Sequence, residues 1–274
     1  MRALPEAELM SSAQIRVGIG GWTFEPWRNN FYPAGWPKAR ELEYASRQLN
    51  AIEINSTYYR SQQPATFAKW RDATPDGFVF SVKASRFATN RRLLAEAGES
   101  VQRFVQGGLT ELGDKLGPII WQFAPTKQFE AADFAAFLAL LPAQQQGVPL
   151  RHALDVRHPS FKCAEYLALA RRHGHSTVFT ESDDYPAFAD ITGSLVYVRI
   201  MRTESGLPDG CPPQALAQLA ACARIWRAGQ EPAGLPRIQP APAATAPRDV
   251  FVFFISAAKD KAPAAAMALR RFLA

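Results

Sequence analysis

Pro118-Ile119-Ile120-Trp121-Gln122-Phe123 is the stretch on which the fold turns: it holds one polar side chain and no alternation of apolar with polar residues. A strand with one wet face alternates, so a run this short and this apolar belongs to a parallel strand covered on both sides. Runs of the same kind recur at Ile15–Ile19, Ala51–Ile54, Phe78–Val82, His152–Val156, Ser176–Thr180, Leu195–Ile200 and Val250–Ile255. Between them lie helical patterns at Lys38–Leu49, Pro64–Asp72, Ser100–Leu112, Ala131–Leu141, Ala164–His173, Pro213–Gly229 and Lys261–Leu273. Strand and helix alternate to the end, which predicts parallel strands joined by helices. Eight strands close more naturally into a (β/α)8 TIM-type barrel than into an open sheet. The chain's 274 residues suit that reading, since such barrels typically need ~250. A doubly wound sheet ranks second, because Gly18-Ile19-Gly20-Gly21 runs into Trp22 and an aromatic stretch rather than into a dinucleotide-binding turn and helix.

The expected organisation is an N-terminal tail over 1–14 and a single barrel domain over 15–273, with a mobile Pro/Ala-rich insertion at 229–247. Gly20–Pro37, crowded with Trp, Phe and Tyr, reads as an ordered loop. At 47% hydrophobic and 20% charged residues the chain can fill a core and is not disordered. Its formal charge of +6 favours an acidic or phosphorylated small ligand. Arg91-Arg92, Arg171-Arg172 and Arg270-Arg271 are scattered pairs rather than a stripe that tracks a phosphate backbone, so nucleic acid is a partner of second rank. Cys163, Cys211 and Cys222 are odd in number and lack a Cys-x-x-Cys pair, which argues against a disulfide framework or a thiolate zinc site and for a reducing compartment. Met1–Gln14 has no apolar signal core and no stretch has the length of a membrane span, so a cytoplasmic protein with no membrane partner is expected.

Ligands of parallel barrels bind at the carboxyl ends of the strands, and the polar residues there are the candidates. A period of two puts Glu53 with Asn55, Ser81 with Lys83, Asp155 with Arg157, and Tyr197 with Arg199 on inward faces, and Gln122 caps the fourth strand. Converging carboxylates, cations and amides make either a ligand site or a lattice of ion pairs such as Glu53–Lys83 or Asp155–Arg199. His158, in Asp155-Val156-Arg157-His158-Pro159-Ser160-Phe161, has the chemistry of a general acid or base, or of a structural hydrogen-bonder. Trp22, Trp27, Tyr32, Trp36, Tyr58 and Tyr59 offer flat walls for a ligand or packing for a loop. With four His and no metal-binding spacing among them, no metal and no cofactor is expected.

Taken together, Gly18-Ile19-Gly20-Gly21-Trp22, Phe31-Tyr32-Pro33, Glu53-Ile54-Asn55-Ser56-Thr57-Tyr58-Tyr59, Lys83, Gly117–Phe123, Arg157-His158-Pro159-Ser160 and Tyr197-Val198-Arg199 resemble the YecE-like family, domain of unknown function 72, from about Ile15 to Leu273. The resemblance implies a (β/α)8 barrel and names no reaction. Asp155 stands where that family more often has Glu, and Ala124-Pro125 where it has Pro-Pro. The last strand departs further: paired Asn and an Asp are usual after it, and here Ile255-Ser256-Ala257-Ala258 follows Phe254.

The leading expectation is an enzyme, a hydrolase, lyase or isomerase acting on a polar anionic small molecule at the carboxyl face. Glu53, Lys83, Asp155 and His158 are its candidate catalytic residues, and Trp22, Asn55, Tyr58, Gln122, Arg157 and Arg199 its candidate ligand-binding residues. Arg157 and Arg199 are expected as anion clamps. The alternatives are a nucleic-acid-binding or nucleic-acid-processing barrel, prompted by positive charge and aromatics near the mouth, and a non-catalytic ligand sensor, prompted by the altered last strand.

Overall fold

Each apolar run forms a strand, and the computed structural model, which describes residues 13–240, 243 and 245–274, closes eight of them into one parallel barrel. The expected tail at 1–14 lies outside the described residues apart from Ala13 and Gln14. In chain order the strands are β1 Ile15–Gly20, β2 Ala51–Ile54, β3 Val79–Lys83, β4 Leu116–Gln122, a two-stranded hairpin of β5 Gln144–Gln145 and β6 Val148–Pro149, then β7 His152–Asp155, β8 Ser176–Glu181, β9 Leu195–Ile200 and β10 Asp249–Phe254. The barrel runs β1-β2-β3-β4-β7-β8-β9-β10 and closes by pairing β10 with β1, from Ile15 opposite Val250 to Ile19 opposite Phe254.

Side-chain parity divides the interior into two cores. Val17, Ile19, Ile52, Ile54, Val82, Trp121, Leu154, Val198 and Val252 point outward into the helix layer. Ala51, Val79, Ile120, Ala153, Val178, Tyr197, Phe251 and Phe253 fill the barrel axis. Gly18 is required where β1 meets β2, because a Cβ there would fall 2.1 Å from the Ala51 carbonyl oxygen.

The alternation of strand and helix fails once. Residues 182–194, between β8 and β9, contain no helix. That link is short and carries Pro186 and Gly193, and its outer side is covered instead by the Pro/Ala-rich segment. Asp190 accepts from the Ile238 and Gln239 backbone amides at 2.9 and 3.0 Å, and the Ala189 amide donates to the Pro236 carbonyl. Of the segment expected to be mobile, residues 229–240 are thus tied to the barrel wall, while 241, 242 and 244 lie outside the described residues. Two further differences have local causes. The helix expected over Ser100–Leu112 is a helix at Gly98–Val105 and a 3-10 segment at Leu109–Lys115, parted at Gly107-Gly108, where Gly108 has φ 98°. The hairpin is turned by Gln146 and Gly147, both at positive φ as a tight two-residue turn demands.

The aromatic loop is ordered as expected. Trp27 is fully buried, packs edge-on against Phe24 and Phe31, and donates from Nε1 to the Lys259 carbonyl at 2.8 Å.

Three of the four histidines gather at the opposite, amino end of β7 and β8: His152, His173 and His175, with ring centroids 5.0 and 5.8 Å apart along the series His152–His175–His173. His152 Nδ1 accepts from Trp121 Nε1 at 3.0 Å, which puts its proton on Nε2, 2.8 Å from the Pro142 carbonyl. Burial pulls His152 down to about 4, and burial with repulsion from His152 and His173 pulls His175 down to about 3. The unfolded chain, with histidines near 6.5, therefore binds more protons below that pH, so the stability these groups contribute is complete above it and is lost as pH falls. Lowering the pH from about 7.5 to about 5 should cost about 2 kcal/mol of unfolding free energy for each of the two buried rings. Urea unfolding at the two pH values checks this, and equal midpoints and slopes would mean that the rings ionise freely in the folded state.

Candidate functional site

β2, β4, β7 and β9 deliver Glu53, Gln122, Asp155 and Arg199 to one level of the barrel axis. Arg199, 1% exposed, donates from Nη2 to Glu53 Oε1 at 2.9 Å and from Nη1 to Asp155 Oδ2 at 2.7 Å and Gln122 Oε1 at 3.0 Å. Arg157 lies just above, donating from Nη2 to the same Asp155 oxygen at 3.0 Å and to Gln122 Oε1 at 2.8 Å, with its guanidinium 4.4 Å from the Tyr185 ring centroid. Tyr197, two residues before Arg199 on the same inward face, donates to Glu53 Oε2 at 2.7 Å and lies 2.8 Å from Ser81 Oγ. Thr180 Oγ1 donates to the remaining Asp155 oxygen.

The electrostatics follow from this wiring. Burial opposes charge on Asp155, but the Arg157 and Arg199 guanidiniums outweigh it and hold the carboxyl below its usual range. Burial likewise disfavours the Arg199 cation, and Glu53 and Asp155 outweigh it, so that its affinity for the proton rises above normal. Two carboxylates thus match two guanidiniums, and Lys83 stands outside the match. Its Nζ has no hydrogen bond and no ion pair among the described residues and rests 4.3 Å from the Tyr58 ring centroid. Burial, then repulsion from Arg199, pulls Lys83 down to about 8, against the attraction of Glu53 and Asp155.

Above this layer a cavity of about 360 Å³ opens at the carboxyl face. Its floor and walls come from Asn55, Lys83, Gln122, Arg157 and Arg199, and from Gly20, Trp27, Tyr59, Phe254, Ile255, Ser256 and Lys259. Gly20 keeps the wall thin, since a Cβ there would lie 2.8 Å from Ile255 Cδ1 and 2.9 Å from Asn55 Nδ2. Lys259 matches Lys83 in character: its Nζ has no hydrogen-bonding or ion-pair partner among the described residues and sits 4.5 and 5.6 Å from the Phe24 and Trp27 rings. Clefts of about 400 and 670 Å³ also lie beside the helices. Both are lined by loop and helix residues such as Arg91, and neither gathers side chains from the barrel axis.

Of the residues singled out from sequence, Asn55, Lys83, Gln122, Arg157 and Arg199 line the cavity, Glu53 and Asp155 form its buried base, and Tyr58 supports Lys83. His158 and Trp22 are elsewhere. His158 Nδ1 faces Ser160 Oγ at 2.8 Å and accepts from the Ser160 amide, capping the 3-10 turn Pro159–Phe161. Trp22 packs edge-on against Trp70. Arg199, expected as an anion clamp, spends both terminal nitrogens inside the protein. Sequence reasoning missed Lys259, which sits after the last strand in the 3-10 turn Lys259–Lys261. Its only signal was position, just past the carboxyl end of a barrel strand. Among the described residues no three His, Cys, Asp or Glu side chains converge as a metal would require, and no helix is long and apolar enough to cross a membrane.

Comparison with known proteins agrees with this architecture. The family model for the protein of unknown function DUF72 matches residues 16–274. Over 150 residues the chain is 25% identical to YecE of Escherichia coli K12, covering 54% of this chain and 50% of YecE. Over 152 residues it is 24% identical to YunF of Bacillus subtilis 168, covering 54% and 52%. The chain therefore spans about half the length of the curated relatives it matches. A DUF72 family protein of Thermotoga maritima superposes with a TM-score of 0.71 at 19% identity, covering 94% of this chain and 98% of that one, and shares the closed barrel. With a match that begins in β1 and ends at the last residue, the chain belongs to the DUF72 family of proteins of unknown function.

Proposed function

We propose that this protein is an enzyme acting on a small anionic molecule, a lyase or isomerase in preference to a hydrolase, with Lys83 as the group that carries the proton. The observation that supports it most is the charge count at the cavity: Glu53 and Asp155 neutralise Arg199 and Arg157, which leaves Lys83 and Lys259 as cations without counter-charges. Two desolvated, unneutralised ammoniums on one small cavity are stabilised by an anion. Lys83, with its ammonium pulled down to about 8, exchanges its proton close to neutral pH as a general acid or base should. In this scheme Lys259 and Arg157 hold the acidic group and Asn55 and Gln122 orient the molecule. Glu53, Asp155 and Arg199 fix the floor.

A nucleic-acid reading draws on one observation, the exposed rings of Tyr59 and Phe87 with the Arg86 guanidinium 5.9 and 5.5 Å from them beside the mouth. Backbone binding would weaken steeply with salt, whereas a small-anion cavity responds mildly.

The two classes of cation should separate by mutation. Lys83→Met and Lys259→Met should each weaken sulfate binding by about 1.5–3 kcal/mol, a charged hydrogen bond's worth, with little loss of stability because neither ammonium has a partner to strand. Calorimetric titration with sulfate, which does not itself titrate in this range, checks the first effect, and unchanged affinity in both variants would remove the lysines from the site. Arg199→Ala should instead cost about 3–5 kcal/mol of folding free energy by stranding Glu53 and Asp155 in the interior. Urea unfolding reads that loss, and a wild-type midpoint would contradict the structural role given to Arg199.

Sulfate affinity of the wild type should also fall as pH rises through about 8, where Lys83 loses its charge. Of the other charges around it, Arg199, Arg157, Glu53 and Asp155 are tied to one another in ion pairs, while Lys259 on the same cavity is also pulled down by burial, so Lys83→Met, which keeps Lys259, should show a smaller fall. Affinity that is flat from about pH 6.5 to about pH 9 would exclude Lys83 as the titrating contact.

A further inference from the structure

The geometry points to Lys83 as a covalent amine: its Nζ condenses with the carbonyl group of a substrate whose acidic group is held by Lys259 and Arg157. This rests on the anion-binding reading above and deepens it by naming the substrate class, an oxo acid or a phosphorylated aldehyde or ketone.

Lys115 supplies the comparison. It is as buried as Lys83, each 7% exposed, yet its Nζ donates to the Arg71 and Thr74 carbonyls at 2.7 and 2.6 Å. Lys127, also largely buried, pairs with Asp133 at 2.8 Å. A lysine withdrawn from water for structural reasons is satisfied in this way. Lys83 is not, although Glu53 and Asp155 lie near enough to act on it, because Arg199 and Arg157 occupy their oxygens. The ring of Tyr58, held through its hydroxyl by Asn90 Nδ2 at 3.3 Å, supports the ammonium without offering it an acceptor. The amine is therefore fixed in place at the end of β3, open to the cavity, and uncommitted.

Nucleophilic attack needs the neutral amine. With Lys83 pulled down to about 8, about a tenth of it is neutral at pH 7, about 200 times the fraction of an ordinary lysine. The neutral Nζ adds to the carbonyl carbon as the C=O π pair moves to oxygen, which takes a proton. Nitrogen then pushes its lone pair into a C=N bond, the C–O bond breaks, and water leaves. The sum is ammonium plus carbonyl giving iminium plus water, with no change of oxidation state. The iminium draws electrons from the neighbouring carbon, where a C–H or C–C bond can then break. That is the chemistry of an isomerase or a lyase.

Reductive trapping tests it on the whole chain. The protein is incubated with pyruvate, 2-oxoglutarate or dihydroxyacetone phosphate and sodium cyanoborohydride, digested, and mapped by mass. With at least one of these probes Lys83 should be alkylated at least tenfold faster than the exposed Lys38, Lys69 and Lys162, and sulfate should slow the labelling of Lys83 alone. Lys83→Arg, which keeps the charge and loses the nucleophile, should bind sulfate and give no adduct in the β3 peptide. If sulfate binds but Lys83 labels no faster than the exposed lysines with any of the three, the covalent role is overturned and the anion-binding reading stands. If sulfate does not bind and Lys83 is unlabelled, both fall.

Discussion

The guanidinium of Arg199 is the constraint on which the carboxyl half of the barrel depends. It sits on the axis and ties β9 to β2 through Glu53, to β7 through Asp155 and to β4 through Gln122. A lysine could not do this, because the three contacts leave two separate nitrogens, Nη1 and Nη2, in divergent directions, as the forked guanidinium allows and a single ammonium does not. Removing these charges from water costs several kcal/mol per ion, and the close geometry is what offsets it. The same wiring sets the charge balance above it. By saturating both carboxylates, Arg199 and Arg157 deprive Lys83 of the counter-ion that its burial would otherwise call for.

The barrel was legible because its strands are apolar on both faces, a pattern that little else in a globular chain produces. Inward parity was legible for the same reason: one hydrophobic neighbour on each side fixes which way Glu53, Asp155 and Arg199 point. Which of them meet was not, because residues at equal distance from their strand ends are brought level or staggered by the shear of the barrel. Hence Glu53–Lys83 and Asp155–Arg199 were equally good pairs on paper, while Arg199 takes both carboxylates. Lys259 escaped notice since it follows the last strand in a turn with no periodicity. His158 drew notice through its chemistry, yet a proline beside it starts a 3-10 turn whose amide the imidazole caps. The missing helix after β8 was hidden for a similar reason: its substitute, the segment at 229–240, is distant in sequence and too rich in proline to carry a period.

The end of β10 shows how backbone and side chain can part company. Ser256 and Ala257 take φ of 61° and 49°, the left-handed region that Asn tolerates far better than Ala. Paired Asn, which the YecE-like resemblance leads one to expect after this strand, would suit that turn on backbone grounds alone. Here the turn persists without the amides, at a cost of order 1–2 kcal/mol for a residue forced into this conformation. The conformation is what carries the chain from Ile255 to Lys259 along the cavity wall. Without amides on that wall, its polar groups are the Ser256 hydroxyl and the Lys259 ammonium, so on the proposed anion-binding reading recognition there would rest on charge more than on a hydrogen-bond pattern. Charge is the less selective of the two: a site that hydrogen-bonds a particular group rejects a ligand lacking it, whereas a point charge accepts any anion of suitable size. On that same proposed reading, discrimination among anions would fall to the rigid parts of the cavity, the thin wall at Gly20 and the amides of Asn55 and Gln122, and Gln122 is itself held by the two guanidiniums.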